Sequence, residues 1–154
     1  MNRSGGAVFP SPSVEPDDVL DLLNRCFAGD EVTENGQTFL FRPRPARPRL
    51  LIGGQGEHAL QRAARYADGW LPGRIPSSEI AAPIERLRTL CEEAGRPSPV
   101  VVMMAGLPLD DPARAAADVE AYASAGVHGL IHAGRFNDER ACREGIEALA
   151  TLKN

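Results

Sequence analysis

The sequence predicts an α/β fold built on a parallel sheet, and three observations carry that expectation. Residues 49–72 read in immediate succession as a short strand, a glycine turn, a helix and a second strand. Pro99 to Ala105, with Val100-Val101-Val102-Met103-Met104 at its centre, is a continuous apolar run, the pattern of a strand buried on both faces. From residue 50 onward, strand and helix alternate four times, which implies parallel strands joined by right-handed crossovers.

Each element follows from local chemistry. Residues 1–16 are rich in Gly, Pro and Ser, with Val8-Phe9 as an isolated apolar pair, and are expected to form an irregular lead-in to one domain over 17–154. Asp17 to Ala28 is expected to be a helix with Val19, Leu20, Leu23, Cys26 and Phe27 inward, acidic at its start and stopped by Gly29. Asn35-Gly36 lies between two β-rich runs, Glu31–Glu34 and Gln37–Phe41, and is a strong hairpin signal. Arg42 to Pro48 alternates arginine and proline and reads as a stiff connector, in preference to an SH3-type ligand or a nucleic-acid arm.

Leu50 to Ile52 is then a short apolar strand, expected to be covered. The next helix places Leu60, Ala63, Ala64 and Ala67 on one stripe, small enough to lie close to a sheet. Trp70 to Pro72 follows as a strand. A helix then runs to about Ala94, with Ile80, Ile84, Leu87, Cys91 and Ala94 inward, Pro83 near its first turn, and Gly95 and Pro97 ending it. Asp111 caps a helix with Pro112 at its first position, where Ala116, Val119, Glu120 and Ala123 share a side; Glu120 spoils that stripe, so Tyr122 is expected to share the packing. Gly126 closes it, Val127 to His132 form the last strand, and Asn137 or Asp138 caps a final helix with Cys142, Ile146 and Leu149 inward.

Composition narrows the function classes. The 154 residues suit one ordinary domain, and 43% hydrophobic with 25% charged residues is a soluble globular balance. No apolar run nears the ~20 residues of a membrane span, and the N-terminus lacks the apolar core of a signal peptide, so a cytoplasmic protein is expected. A formal charge of −4 gives nucleic acid no general reason to bind. Cys26, Cys91 and Cys142 are far apart and odd in number, which argues against disulfides. His128 and His132 fall on one face of a strand but have no third ligand nearby, so no metal is expected.

The glycine turn carries the chemical suggestion. A strand ending in Gly53-Gly54 and feeding a helix presents unobstructed backbone N–H groups at the positive end of a helix dipole, which attracts phosphate. The same glycines equally serve a tight turn alone. Gly54-Gln55-Gly56-Glu57-His58-Ala59 also fits the G-x-G-x-x-A of a Rossmann dinucleotide unit. Against that, the following strand ends in Leu71-Pro72-Gly73-Arg74 without the acid that would hold a ribose, although Arg74 suits a phosphorylated one.

The run PRLLIGGQGEHALQRAARYADGW, from Pro48 to Trp70, resembles the later half of luciferase-like monooxygenases, flavin- and coenzyme F420-dependent oxidoreductases built on a TIM barrel. The resemblance spans about residues 17–150 and includes the preceding helix, hairpin and proline-rich approach. It implies a partial TIM (β/α)8 barrel of about four β/α units, FMN or coenzyme F420 as cofactor, a small-molecule substrate, and Gly53, Gly54 and Gln55 as contacts to the cofactor phosphate. Arg74, just past the next strand, is either a forked partner for that phosphate or a solvated loop arginine. A complete barrel takes about 250 residues, so four strands make about half of one. The chain is therefore expected to self-associate, to pair with a separate first half, or to be a truncated form. A non-catalytic binding or assembly subunit, or a decayed relative, is the alternative. No catalytic residue is assigned, because the resemblance puts much of the ring- and substrate-binding apparatus on the other half.

Overall fold

A computed structural model describes residues 15–152, so residues 1–14 of the expected lead-in fall outside the described residues. The chain forms two compact units, divided between Arg47 and Pro48.

The first unit is a helix and a hairpin. Helix α1 (Pro16–Ala28) starts with proline, carries Asp17 and Asp18 in its first turn, and ends at Gly29. Strands β1 (Glu31–Glu34) and β2 (Gln37–Leu40) pair antiparallel, with Glu34 opposite Gln37. Asn35 and Gly36 both take positive φ, 50° and 74°, the backbone of a type I′ turn. Arg25 binds Asp21, Glu34 and the Thr33 carbonyl, and Phe27 meets Phe41 edge to face at 5.6 Å. Val19 departs from its expected inward position and is 41% exposed.

In the second unit the order is β3 (Leu51–Gly53), α2 (Glu57–Tyr66), β4 (Gly69–Leu71), α3 (Ala81–Glu93), β5 (Val100–Ala105), α4 (Pro112–Ser124), β6 (Gly129–His132) and α5 (Glu139–Thr151). The four strands form one parallel sheet in sequence order, β3-β4-β5-β6. Trp70 lies in register between Ile52 and Val101, and Met103 pairs with Leu130. This face packs on α2 and α3, whose Leu60, Ala63, Ala64, Ile84, Leu87, Leu90 and Cys91 complete the core. All four residues of the expected α2 stripe are buried. Asp111 and Asp138 cap α4 and α5 through the N–H groups of Arg114 and Ala141. Among the described residues no helix is long and apolar enough to cross a membrane.

Several apolar positions differ from expectation; for those on the sheet the cause is that, among the described residues, helices cover only one face. In β5, Val101, Met103 and Ala105 are buried while Met104 is 39% exposed, so the run is not buried on both faces. Leu51 is likewise 39% exposed, and β3 is an edge strand of the four-stranded sheet. In α4 the stripe is rotated. Ala116, Glu120 and Ala123 are exposed, Val119 is half-buried, and Ala115 is fully buried. Tyr122 sets this rotation by donating its hydroxyl to the Ile75 carbonyl at 2.9 Å, and Ala115, two turns earlier, shares its side. In α3, Ala94 is exposed and Leu90 takes the inward place. Ile146 of α5 is 61% exposed, with Gly145 the buried residue of that helix.

Gly69 is where the sheet is tightest. A Cβ there would stand 2.9 Å from a Val100 methyl and 3.0 Å from the Val100 carbonyl oxygen, as well as meeting Leu51. Gly69→Ala is expected to destabilise the fold by about 1–3 kcal/mol in denaturant titration. Leu87→Ala should cost about 2–5 kcal/mol, whereas Ile146→Ala should stay within about 0.5 kcal/mol. Comparable losses at the two positions would contradict this burial pattern.

Candidate functional site

The segment from Gly53 to His58 crosses from the carboxyl end of β3 to the start of α2 and is exposed throughout. Two glycines set its path, with φ of 108° at Gly54 and 86° at Gly56, the residue before the helix. A Cβ on Gly56 would meet nothing, so the outer side of the bend is open space. No side chain caps α2. Among the described residues, no hydrogen bond uses the backbone N–H of Gly54, Gln55, Gly56, Glu57 or His58.

The bend is aimed from below. Trp70 on β4 is fully buried, and its indole Nε1–H donates to the Gly54 carbonyl at 3.0 Å. The peptide linking Gly54 to Gln55 is planar and trans, so with its carbonyl turned toward the indole the Gln55 N–H points the opposite way, out of the core. Asp68 fixes the strand's other end by accepting from the Leu50 N–H at 2.8 Å. Arg96 donates to the carbonyls of Ala64 and Ala67 at 2.7 and 3.0 Å and so satisfies the C-terminal end of α2.

The loop after β4 is tied to the same end of the sheet. The Gln55 side-chain amide donates to the Gly73 carbonyl. Gly73 bridges to Met104 in parallel fashion, and the Arg74 N–H donates to the Met104 carbonyl at 3.1 Å. The carboxyl ends of β3, β4 and β5 are thus linked through Gln55, Gly73 and Met104. Arg74 has φ of 59°, a left-handed conformation costly for a residue that carries a Cβ. Its guanidinium is exposed and makes no hydrogen bond or ion pair among the described residues. Of the four expected site residues, Gly53, Gly54 and Gln55 therefore share one bend, and Arg74 reaches it through the backbone of its neighbour Gly73.

Charge at the bend is balanced locally. Glu57, in the first turn of α2, is held below the usual carboxylate range chiefly by the hydrogen bond from Arg86 on α3, with opposite charge adding to it. Arg86 is raised in turn by Glu57. Both are exposed, and their pairing leaves the helix dipole as the local bias at the open amides.

His128 and His132 are placed apart from this bend. Each accepts a backbone N–H at Nδ1, from Val101 and Leu107 respectively, both at 3.1 Å. Among the described residues no group of three or more His, Cys, Asp or Glu side chains is placed to hold a metal ion, and the three cysteines are free. Two features carried no expected role: the Trp70–Gly54 bond and the Arg96 fork. A tryptophan directly after a glycine at a strand start was the available signal for the first. An arginine just past the helix-ending Gly95 was the signal for the second, although its partners lie about thirty residues back, on α2.

The profile of the family described as luciferase-like monooxygenase matches residues 1–152. Uncharacterized proteins of Mycobacterium bovis and of two Mycobacterium tuberculosis strains are 32% identical over 108 residues. That match takes in 66% of this chain and 37% of each relative, so it covers little more than a third of their length. With the helix-covered parallel sheet and its diglycine bend, the family match leads to one conclusion: the chain belongs to the luciferase-like monooxygenase family.

Proposed function

We propose that the chain is the phosphate-gripping part of a flavin- or coenzyme F420-dependent oxidoreductase, the cofactors that this family generally uses. The observation that carries the reading is the row of unsatisfied N–H groups from Gly54 to His58 at a helix start, beside a strained, unpaired Arg74. The residues fit a phosphate: there is a run of exposed N–H donors at a helix start, open space beside Gly56, a helix dipole behind them and a cation on the adjoining loop. Gly53 and Gly54 supply close backbone approach, and Gln55 braces the bend against Gly73 while presenting its own N–H. The glycines leave the approach open, and the guanidinium of Arg74 gives the phosphate a forked partner. When bound, FMN or coenzyme F420 supplies hydride or electron transfer; the chain's own residues hold and orient it. Strain at Arg74 is then retained for binding.

The same reading makes the four strands part of a (β/α)8 barrel. The uncovered sheet face, with Leu51, Met104 and Ile131 exposed, supports closure by further strands, from a second copy or a separate first half. It also favours a second function, assembly without turnover. Binding separates the two.

Titration with FMN and with coenzyme F420, followed by absorbance, should show binding of one of them in the tens of micromolar or tighter; no binding there would leave the assembly reading. Arg74→Gly should weaken that affinity about tenfold, as loss of a charge-assisted bond implies, while raising fold stability by roughly 1 kcal/mol through relief of the positive φ. Equal affinity for the variant would remove Arg74 from the site. Mass measured in solution should exceed that of a monomer, and a clean monomer would contradict closure by a second copy.

A further inference from the structure

A second concave site lies within the second unit, beside β6 and away from the diglycine bend. Helices α4 and α5 leave a cleft of about 430 Å³ next to that strand, walled by Val119, Leu130, Leu149 and Leu152. That volume is in the range of small-molecule sites. The cleft has a cause in the sequence of α5. Gly145, Leu149 and Leu152 recur at helical spacing and form one stripe of the helix. Of these, Gly145 is buried, whereas the two leucines stay half-buried over the cleft. Phe136 accounts for the difference. A Cβ on Gly145 would stand 2.5 and 2.9 Å from two of its ring carbons, and the same ring lies 6.1 Å from that of His132 on β6. An aromatic ring thus bridges helix and strand at the glycine, and the leucines one and two turns further on stand at the open part of the gap.

The lining decides the charge of what can enter. Apart from His128 and His132, no acidic or basic side chain borders the cleft. Both imidazoles accept a backbone N–H at Nδ1, from Val101 and Leu107. An imidazolium is a donor at both nitrogens and could not accept in this way, so neither ring brings a charge. An ion in this cleft would give up its water without gaining a partner of opposite sign. A neutral apolar molecule gives up little and takes apolar wall out of water as it enters.

We infer that this cleft binds a neutral, compact apolar molecule of about the size of two fused rings. Leu130 of β6, Val119 of α4, and Leu149 and Leu152 of α5 supply its contacts, and the ligand completes the packing that the Phe136 bridge leaves unfinished. The cleft is independent of the cofactor reading, since no residue of the diglycine bend borders it.

2-Naphthol is the probe, with 2-naphthoate as the charged comparison on the same ring skeleton, and binding is read by NMR chemical shifts of methyl groups and backbone amides. The expected result is saturable shifts at the methyls of Val119, Leu130, Leu149 and Leu152 below millimolar probe, with 2-naphthol bound at least tenfold more tightly than 2-naphthoate. Ala123 borders the cleft from an exposed position of α4, so Ala123→Phe can add a ring there without disturbing the core. It should weaken 2-naphthol about tenfold while leaving the amide spectrum away from the cleft unchanged. Val119→Phe, one turn earlier on the same wall, is the second filled variant and should do the same. The inference is overturned by equal affinity for the two probes, by unchanged affinity in both filled variants, by no shifts at millimolar probe, or by shifts centred on Leu51, Met104 and Ile131.

Discussion

The bond between the Trp70 indole and the Gly54 carbonyl is the constraint on which the upper end of the sheet depends. A tryptophan buries 150–250 Å² and seeks a partner for its N–H. Fully enclosed here, it finds that partner in the backbone of the adjoining strand's exit. One peptide is thereby fixed in orientation, and the helix that follows inherits its starting direction. The alanines of α2 then let the helix lie close over the indole, and Arg96 closes its far end. Rigid support beneath and open donors above are what a preorganised anion site requires.

Much of this was legible in the sequence because the signals are local. Asn35-Gly36 announces its turn since both residues tolerate positive φ. Asp111 and Asp138 sit one residue before helices whose first free N–H groups they satisfy. The α2 stripe is readable because it recurs at helical spacing. What stayed hidden depends on residues far away in sequence. The side of α4 that turns inward is decided by Tyr122 reaching Ile75, 47 positions back. An unbroken apolar strand such as β5 looks the same whether one face or both are covered, because periodicity carries no information when every residue is apolar. At the candidate site the bend itself could be read from Gly53-Gly54, but the direction of its amides could not, since that rests on an indole 16 residues on.

The sheet also explains why its two sides differ in character. One side is a finished core, with Met103, Val101 and Trp70 at or near zero exposure. On the other, Leu51, Met104 and Ile131 stand in water. The same four strands thus serve as a completed scaffold for the helices and as a surface whose apolar content exceeds what solvent contact favours. Family membership gives this asymmetry a context, because the chain matches little more than a third of its mycobacterial relatives' length.

Leaving β3 at the margin has a bearing on colloidal behaviour. An outer strand is a template on which foreign chains can stack into fibrils, and longer, flatter margins nucleate more readily. This one is three residues long and is approached through Pro48-Arg49, a proline with no amide hydrogen to lend and a cation that repels its own kind. Its downstream end turns away at the glycines. The brevity that makes the strand look incomplete is also what denies an incoming chain a long seam to zip against.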